Sequence, residues 1–128
     1  MTWWRNGEGT LRIGDVAVPL EIAASYRTRT RGLLGRDGLA GRAMLLTPAW
    51  SVHTVRMRFT IDVAYLDRRL RVLAVRTMRP GRLGRPRLRA RYVLEAEAGA
   101  LADWGVRRGV TVDIVATDET RPDTNGIR

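Results

Sequence analysis

The sequence predicts a mainly β chain: one compact domain of the sandwich or barrel-like kind, with one or two short helices. Three observations lead there. Apolar and polar residues alternate over long stretches, the period-two pattern of a strand with one buried face. Glycine and proline punctuate the chain often enough to leave room for short strands and little helix. The length, 128 residues with 45% hydrophobic content, suits one core without a second domain. The expected division is a loose lead-in over residues 1–9, a globular domain over 10–116 and a flexible tail over 117–128.

In chain order, Leu11-Arg12-Ile13 and Val16 to Ile22 alternate like strands and are joined by Gly14-Asp15, a pair suited to a tight hairpin turn. Pro19 has no N–H for a ladder, which predicts an edge position for the second strand. Ser25 is placed to cap a helix from Tyr26 to Leu34, with Gly35 as its stop. Ala43 to Leu46 is an apolar run with the length of a buried strand. The clearest pattern follows. His53, Val55, Met57, Phe59, Ile61, Val63 and Tyr65 share one parity, and Thr54, Arg56, Arg58, Thr60 and Asp62 the other. An extended ribbon is expected there, its oily side inward and its charged side wet, bent near Phe59-Thr60. Leu70 to Met78, Arg91 to Glu97 and Val110 to Val115 complete the strands, with a helical turn over Ala100 to Trp104 and a loop over Arg79 to Arg89.

Composition removes several chemistries. There is no cysteine, hence no disulfide, no thiolate nucleophile and no zinc–thiolate site. All 23 basic residues are arginine, so neither a Schiff-base lysine nor a phosphate-loop lysine is available. The opening residues have no apolar stretch behind their charge, so no secretory signal is read and a cytoplasmic address is expected. The net charge of +10 is partly a habit of composition, arginine standing where lysine otherwise would. Its placement says more: residues 68–91 hold ten arginines and no acid. Such a segment attracts anions, or deters edge-to-edge pairing as a solvated face. It contains no aromatic ring on which a base could stack, so sequence-specific nucleic-acid binding is not expected.

His53 is the single histidine, and Ser25 and Ser51 are the only serines. Ser51 and His53 stand two residues apart on an extended chain, some 6–7 Å by the strand repeat, too far for a direct hydrogen bond. No calcium-loop pattern appears, and no metal or other cofactor is expected. The glycines at 32, 35, 38 and 41 lack the strand-to-helix setting of a phosphate loop. Asp62, beside Arg56 and Arg58, and Glu95, sharing a face with Val93 and Glu97, are acids that salt bridges alone could explain.

Several segments, in order, resemble the family named domain of unknown function 192. They are Arg31-Gly32-Leu33-Leu34-Gly35-Arg36, Met44 to Pro48, Val52 to Asp67, Val75 to Pro80, Tyr92 to Gly99 and Trp104 to Gly109. The resemblance runs from about residue 16 to 115. Many members carry an aromatic-Trp-Met-Lys-Asn-Thr type of segment where this chain has His53 to Thr60. Met57 and Arg58 match its methionine and basic residue, and its asparagine has no counterpart here. The resemblance implies a compact, mainly β fold and no established reaction, cofactor or substrate.

The expected function is a non-enzymatic binding module with a shallow polar cleft for a small anionic or polar ligand. Its candidate residues are His53, Met57, Arg58, Asp62 and Glu95. Arg58 would pair an anionic group, Asp62 and Glu95 would accept ligand hydrogen bonds, and Met57 would supply adaptable apolar contact. One alternative is an acid–base hydrolase using Asp62 or Glu95. Another is an accessory protein that docks an acidic partner through residues 68–91.

Overall fold

A computed structural model describes residues 4–117. Seven strands form one sheet: β1 (Gly7–Ile13), β2 (Val16–Ala23), β3 (Ala43–Leu46), β4 (Ile61–Leu66), β5 (Val72–Met78), β6 (Tyr92–Glu97) and β7 (Asp113–Ala116). Helices α1 (Tyr26–Arg31) and α2 (Ala100–Asp103) are single short turns of chain. Strand order is β5-β4-β6-β3-β2-β1-β7. All neighbours are antiparallel except β2 and β3, which are parallel. A parallel pair needs a long crossover, and residues 24–42, carrying α1, supply it.

The sheet curls. Buried residues from all seven strands, among them Leu11, Leu20, Leu45, Leu66, Val72, Leu94 and Ile114, belong to one apolar cluster, with Leu101 of α2 across its mouth. A flat sheet could not bring both its edges to one core. The edges meet along a short seam, where Arg71 bridges Thr111 and Leu70 and Val72 bond to the segment before β7, and beyond it the sheet is open. A second cluster lies on the outer face, where Met44, Val63, Tyr65 and Val93 are covered by Leu33, Leu39 and Met57 from the connecting loops. The middle strands are therefore apolar on both faces, and every residue of β4 is buried. Among the described residues no helix is long and apolar enough to cross a membrane.

Several expectations need correcting in detail. The lead-in is shorter than residues 1–9, because Gly7 already pairs with Ile22. Asn6 is anchored too: its Oδ1 accepts from Ala24 N (2.6 Å), Ser25 N (2.9 Å) and Thr28 Oγ1 (2.7 Å). The predicted tail, beyond Thr117, lies outside the described residues. Ser25 does cap α1, in a capping box with Thr28, but the helix ends at Gly32 rather than Gly35. Pro19 sits in an interior strand. It is accommodated because β3 pairs with β2 only from Leu20 onward, leaving the proline's other side without a ladder.

The largest correction concerns residues 53–60, which are not a ribbon. His53 makes a lone bridge to Leu83, and the chain turns at Arg56, which has φ 67°. Thr54, expected on the wet side, is fully buried and joins two loops. Its N–H donates to Arg82 O (2.8 Å), its carbonyl accepts from Gly81 N (2.8 Å), and its hydroxyl lies between Arg79 O and Arg82 N (2.5 and 2.8 Å). Gly84 N to Val52 O and Arg87 N to Trp50 O continue the seam. Loop-to-loop bonding thus replaces the ladder that alternation implied, and the strand proper begins only at Ile61.

Candidate functional site

Two carboxyl groups are buried in the sheet, on opposite faces. Asp62 of β4 has the parity of Ala64 and Leu66 and points to the inner side. It is 3% exposed, and its two oxygens accept from Thr77 Oγ1 and Gly99 N, each at 2.8 Å. The expected pairing with Arg56 and Arg58 does not form. With its acceptors engaged, Asp62 fastens β4 to β5 and to the turn before α2.

Glu95 of β6 has the parity of Val93 and points outward, flanked in the sheet by Met44 on β3 and Val63 on β4. It is 4% exposed. Among the described residues no hydrogen-bond donor or cation meets its carboxyl. Burial pushes the carboxyl up to about 7, from an ordinary 4.5. Buried polar groups nearly always find a partner, so this one stands out. Glu97, two residues on along the same face, shows the usual outcome: Leu39 N donates to its Oε2 at 2.6 Å.

Above Glu95 is a hollow of about 80 Å³. Leu33, Leu46, Val52 and Met57 give it apolar walls, while Arg29, Thr30, Arg31, Ser51 and His53 stand around it. The sequence builds this hollow from three separate pieces. Capping at Ser25 starts α1, and the stop at Gly32 brings Leu33 down onto the sheet. The turn at Arg56 sends Met57 inward. The crossover is held by Arg36, whose guanidinium donates twice to the Glu21 carboxylate (2.7 and 2.8 Å) and holds that group below its ordinary value.

Of the five residues singled out from the sequence, His53, Met57 and Glu95 come together here. Arg58 and Asp62 do not. Arg58 lies on the surface, 3.1 Å from the exposed Asp37, and Asp62 faces the other side of the sheet. Arg29 and Arg31 were not anticipated, and Ser51 was weighed only as a partner for His53 and set aside. The sequence shows α1 as an element but contains no signal for which face of the sheet its crossover covers. No hydrogen bond joins Ser51, His53 and Glu95, so they do not form a nucleophilic relay. Among the described residues no group of three or more His, Asp or Glu is placed to hold a metal ion.

A curled, open seven-stranded sheet with an acid-floored hollow on its outer face defines a small β protein of one recognisable class. Residues 9–114 match the family described as Uncharacterized ACR, domain of unknown function 192, and the chain belongs to that family. A UPF0127 protein of Pyrococcus horikoshii is 43% identical over 92 residues, covering 72% of this chain and 76% of its own. A UPF0127 protein of Thermococcus gammatolerans is 30% identical over 106 residues, covering 79% and 67%. Two solved structures share the fold. One, from Sinorhizobium meliloti 1021 and described as a proposed transcription regulator, superposes with TM-score 0.68 at 16% identity, covering 85% of this chain and 95% of its own. The other, a protein of unknown function from Novosphingobium aromaticivorans, has TM-score 0.62 at 17% identity and covers 84% of each. At such identities the likeness is one of fold alone.

Proposed function

We propose that the protein is a binding module for a small polar or anionic ligand, taken into the hollow above Glu95. One observation carries this: a carboxyl buried in the middle of a sheet, without a partner among the described residues, opening onto a hollow. Leaving such a group unmatched costs stability, and a ligand that presents a hydroxyl, amide or ammonium donor would supply the missing contact. The walls suit a short apolar body, for which Met57 offers an adaptable surface. The arginines and His53 around the hollow suit a carboxylate or other anionic end. Small hydroxy acids and amino acids combine these features. The volume admits a group of only a few heavy atoms, so larger ligands would leave most of their bulk outside.

The test is a thermal-shift and NMR titration with small hydroxy acids, amino acids and their amides at millimolar concentration. At least one should raise Tm and move the amide signals of Glu95 and Met57 in the parent, and neither effect should survive in Glu95→Leu. Equal responses in parent and variant would defeat the reading.

A second reading draws on the same carboxyl. A group titrating near neutrality can accept and return a proton, which supports an acid–base enzyme with Glu95 as its base. Asp62 has no such support, its oxygens being engaged. Turnover of a hydrolase substrate panel by the parent, abolished in Glu95→Gln, would favour this reading over simple binding.

A further inference from the structure

The curled sheet fails to close along one seam. At its start β5 meets the segment before β7: Val72 N donates to Val110 O (2.8 Å) and Gly109 N to Val72 O (2.9 Å). Beyond Val72 the two segments part. A cleft of about 680 Å³ opens between residues 73–77 of β5 and residues 105–108. On this side no described strand pairs with β5, which ends the sheet. A strand edge presents alternate N–H and C=O groups for a further strand. Within the cleft, among the described residues, the Val75 carbonyl is met only by the guanidinium of its own neighbour, Arg76 Nη1 at 2.8 Å. A residue's N–H and C=O point to the same side of an antiparallel strand. The amides of Val75 and, two residues on, Thr77 therefore face the cleft.

The cleft is cationic. Arg76, Arg87, Arg107 and Arg108 line it, and the one acid in its lining, Asp62, is already engaged by Thr77 and Gly99. None of these four arginines has an ion pair among the described residues. Two further hollows adjoin and share Arg87, and they bring Arg82, Arg85 and Arg89 to the same face. Leu83 and Leu88 stand out from this loop, 81% and 87% exposed.

We propose that the open edge of β5 docks an extended, acid-rich segment of a partner protein, which adds as a strand while its carboxylates meet the surrounding arginines. Strand addition supplies main-chain hydrogen bonds, and side chains on alternate positions select the partner. The charge complement is an anion, and the free edge specifies a peptide. A phosphate backbone has no N–H to give an edge carbonyl. Nor does an aromatic residue line the cleft, and the one ring in the adjoining hollows, Tyr65, is buried beneath Arg87, whose guanidinium lies 5.2 Å from the ring centre. Leu83 and Leu88 are also better matched by a peptide's apolar side chains than by phosphates.

A fluorescein-labelled decapeptide of alternating Glu and Val tests this by anisotropy and by amide exchange. At low salt it should bind, and exchange of the Val75 and Thr77 amides should slow. The Arg76→Glu, Arg108→Glu double variant should weaken binding by about tenfold or more. Val75→Pro removes an edge donor without touching the β4 ladder and should weaken binding while leaving Tm near the parent's. If Val75→Pro lowers Tm, slowed exchange in the parent decides alone. Three results would overturn the proposal: no peptide binding, binding without slowed exchange, or a single-stranded oligonucleotide of equal charge binding parent and Val75→Pro alike and as tightly as the peptide.

Discussion

Asp62 and Glu95 occupy neighbouring central strands and are buried almost equally, yet they stand in opposite situations. On the inner face every acceptor of Asp62 is matched by a donor from a neighbouring element. On the outer face Glu95 has an apolar surround and an opening. The contrast teaches that burial of an acid does not by itself mark a site. What separates the two is whether the protein completes the hydrogen bonding itself. Asp62 is architecture. Glu95 is an unfinished interaction.

That contrast can be broken most forcefully at Asp62. Asp62→Ala should destabilise the fold by about 3 kcal/mol, because it removes the two hydrogen bonds by which Thr77 and Gly99 hold the buried carboxyl, each worth roughly 1.5 kcal/mol. Urea denaturation measures it. A loss below about 1 kcal/mol would place Asp62 outside the sheet's polar framework.

At Glu95 the effect should appear in the pH dependence. Its folded value, about 7, lies above the ordinary 4.5, so the folded chain holds this proton more tightly than the unfolded one. Stability is then greatest below pH 4.5 as far as this group is concerned, and falls as pH rises through 7. A shift of this size corresponds to about 3 kcal/mol. Glu95→Gln should flatten that slope and be more stable than the parent at pH 8. Identical pH profiles would show that the carboxyl is not desolvated in solution.

The smallest effect sharpens the comparison from outside. Arg58 and Asp37 are a surface pair, and Arg58→Ala should change stability by no more than about 0.5 kcal/mol, as exposed ion pairs do. It should also leave the ligand response at Glu95 unaltered.

The strands were legible because turn residues bound them: Gly14-Asp15 closes the first hairpin where expected, and β5 and β6 begin within two residues of their predicted starts. Glu95 was legible as sharing Val93's face. The run from His53 to Tyr65 misled for a physical reason. Alternation implies one wet face, but a strand in the middle of a sheet covered on both sides has none, and Asp62 found its donors on β5 and before α2, far along the chain. Thr54 looked solvent-facing because nothing local announces that residues 79–84 will close over it. The hollow's outer wall escaped for the same reason, since the side taken by a crossover is settled in three dimensions.

The four residues of β3 have a disproportionate place in this molecule. On one flank lie β7, β1 and β2; on the other, β6, β4 and β5; and β3 is the whole ladder between them. Leu46 at its end and Glu95 across from Met44 sit on that keystone, while α1 hangs from the loop that leads into it. Any twist of one half against the other must bend this narrow splice as well as the short seam between residues 70–72 and 109–112, and in doing so it would reshape the hollow.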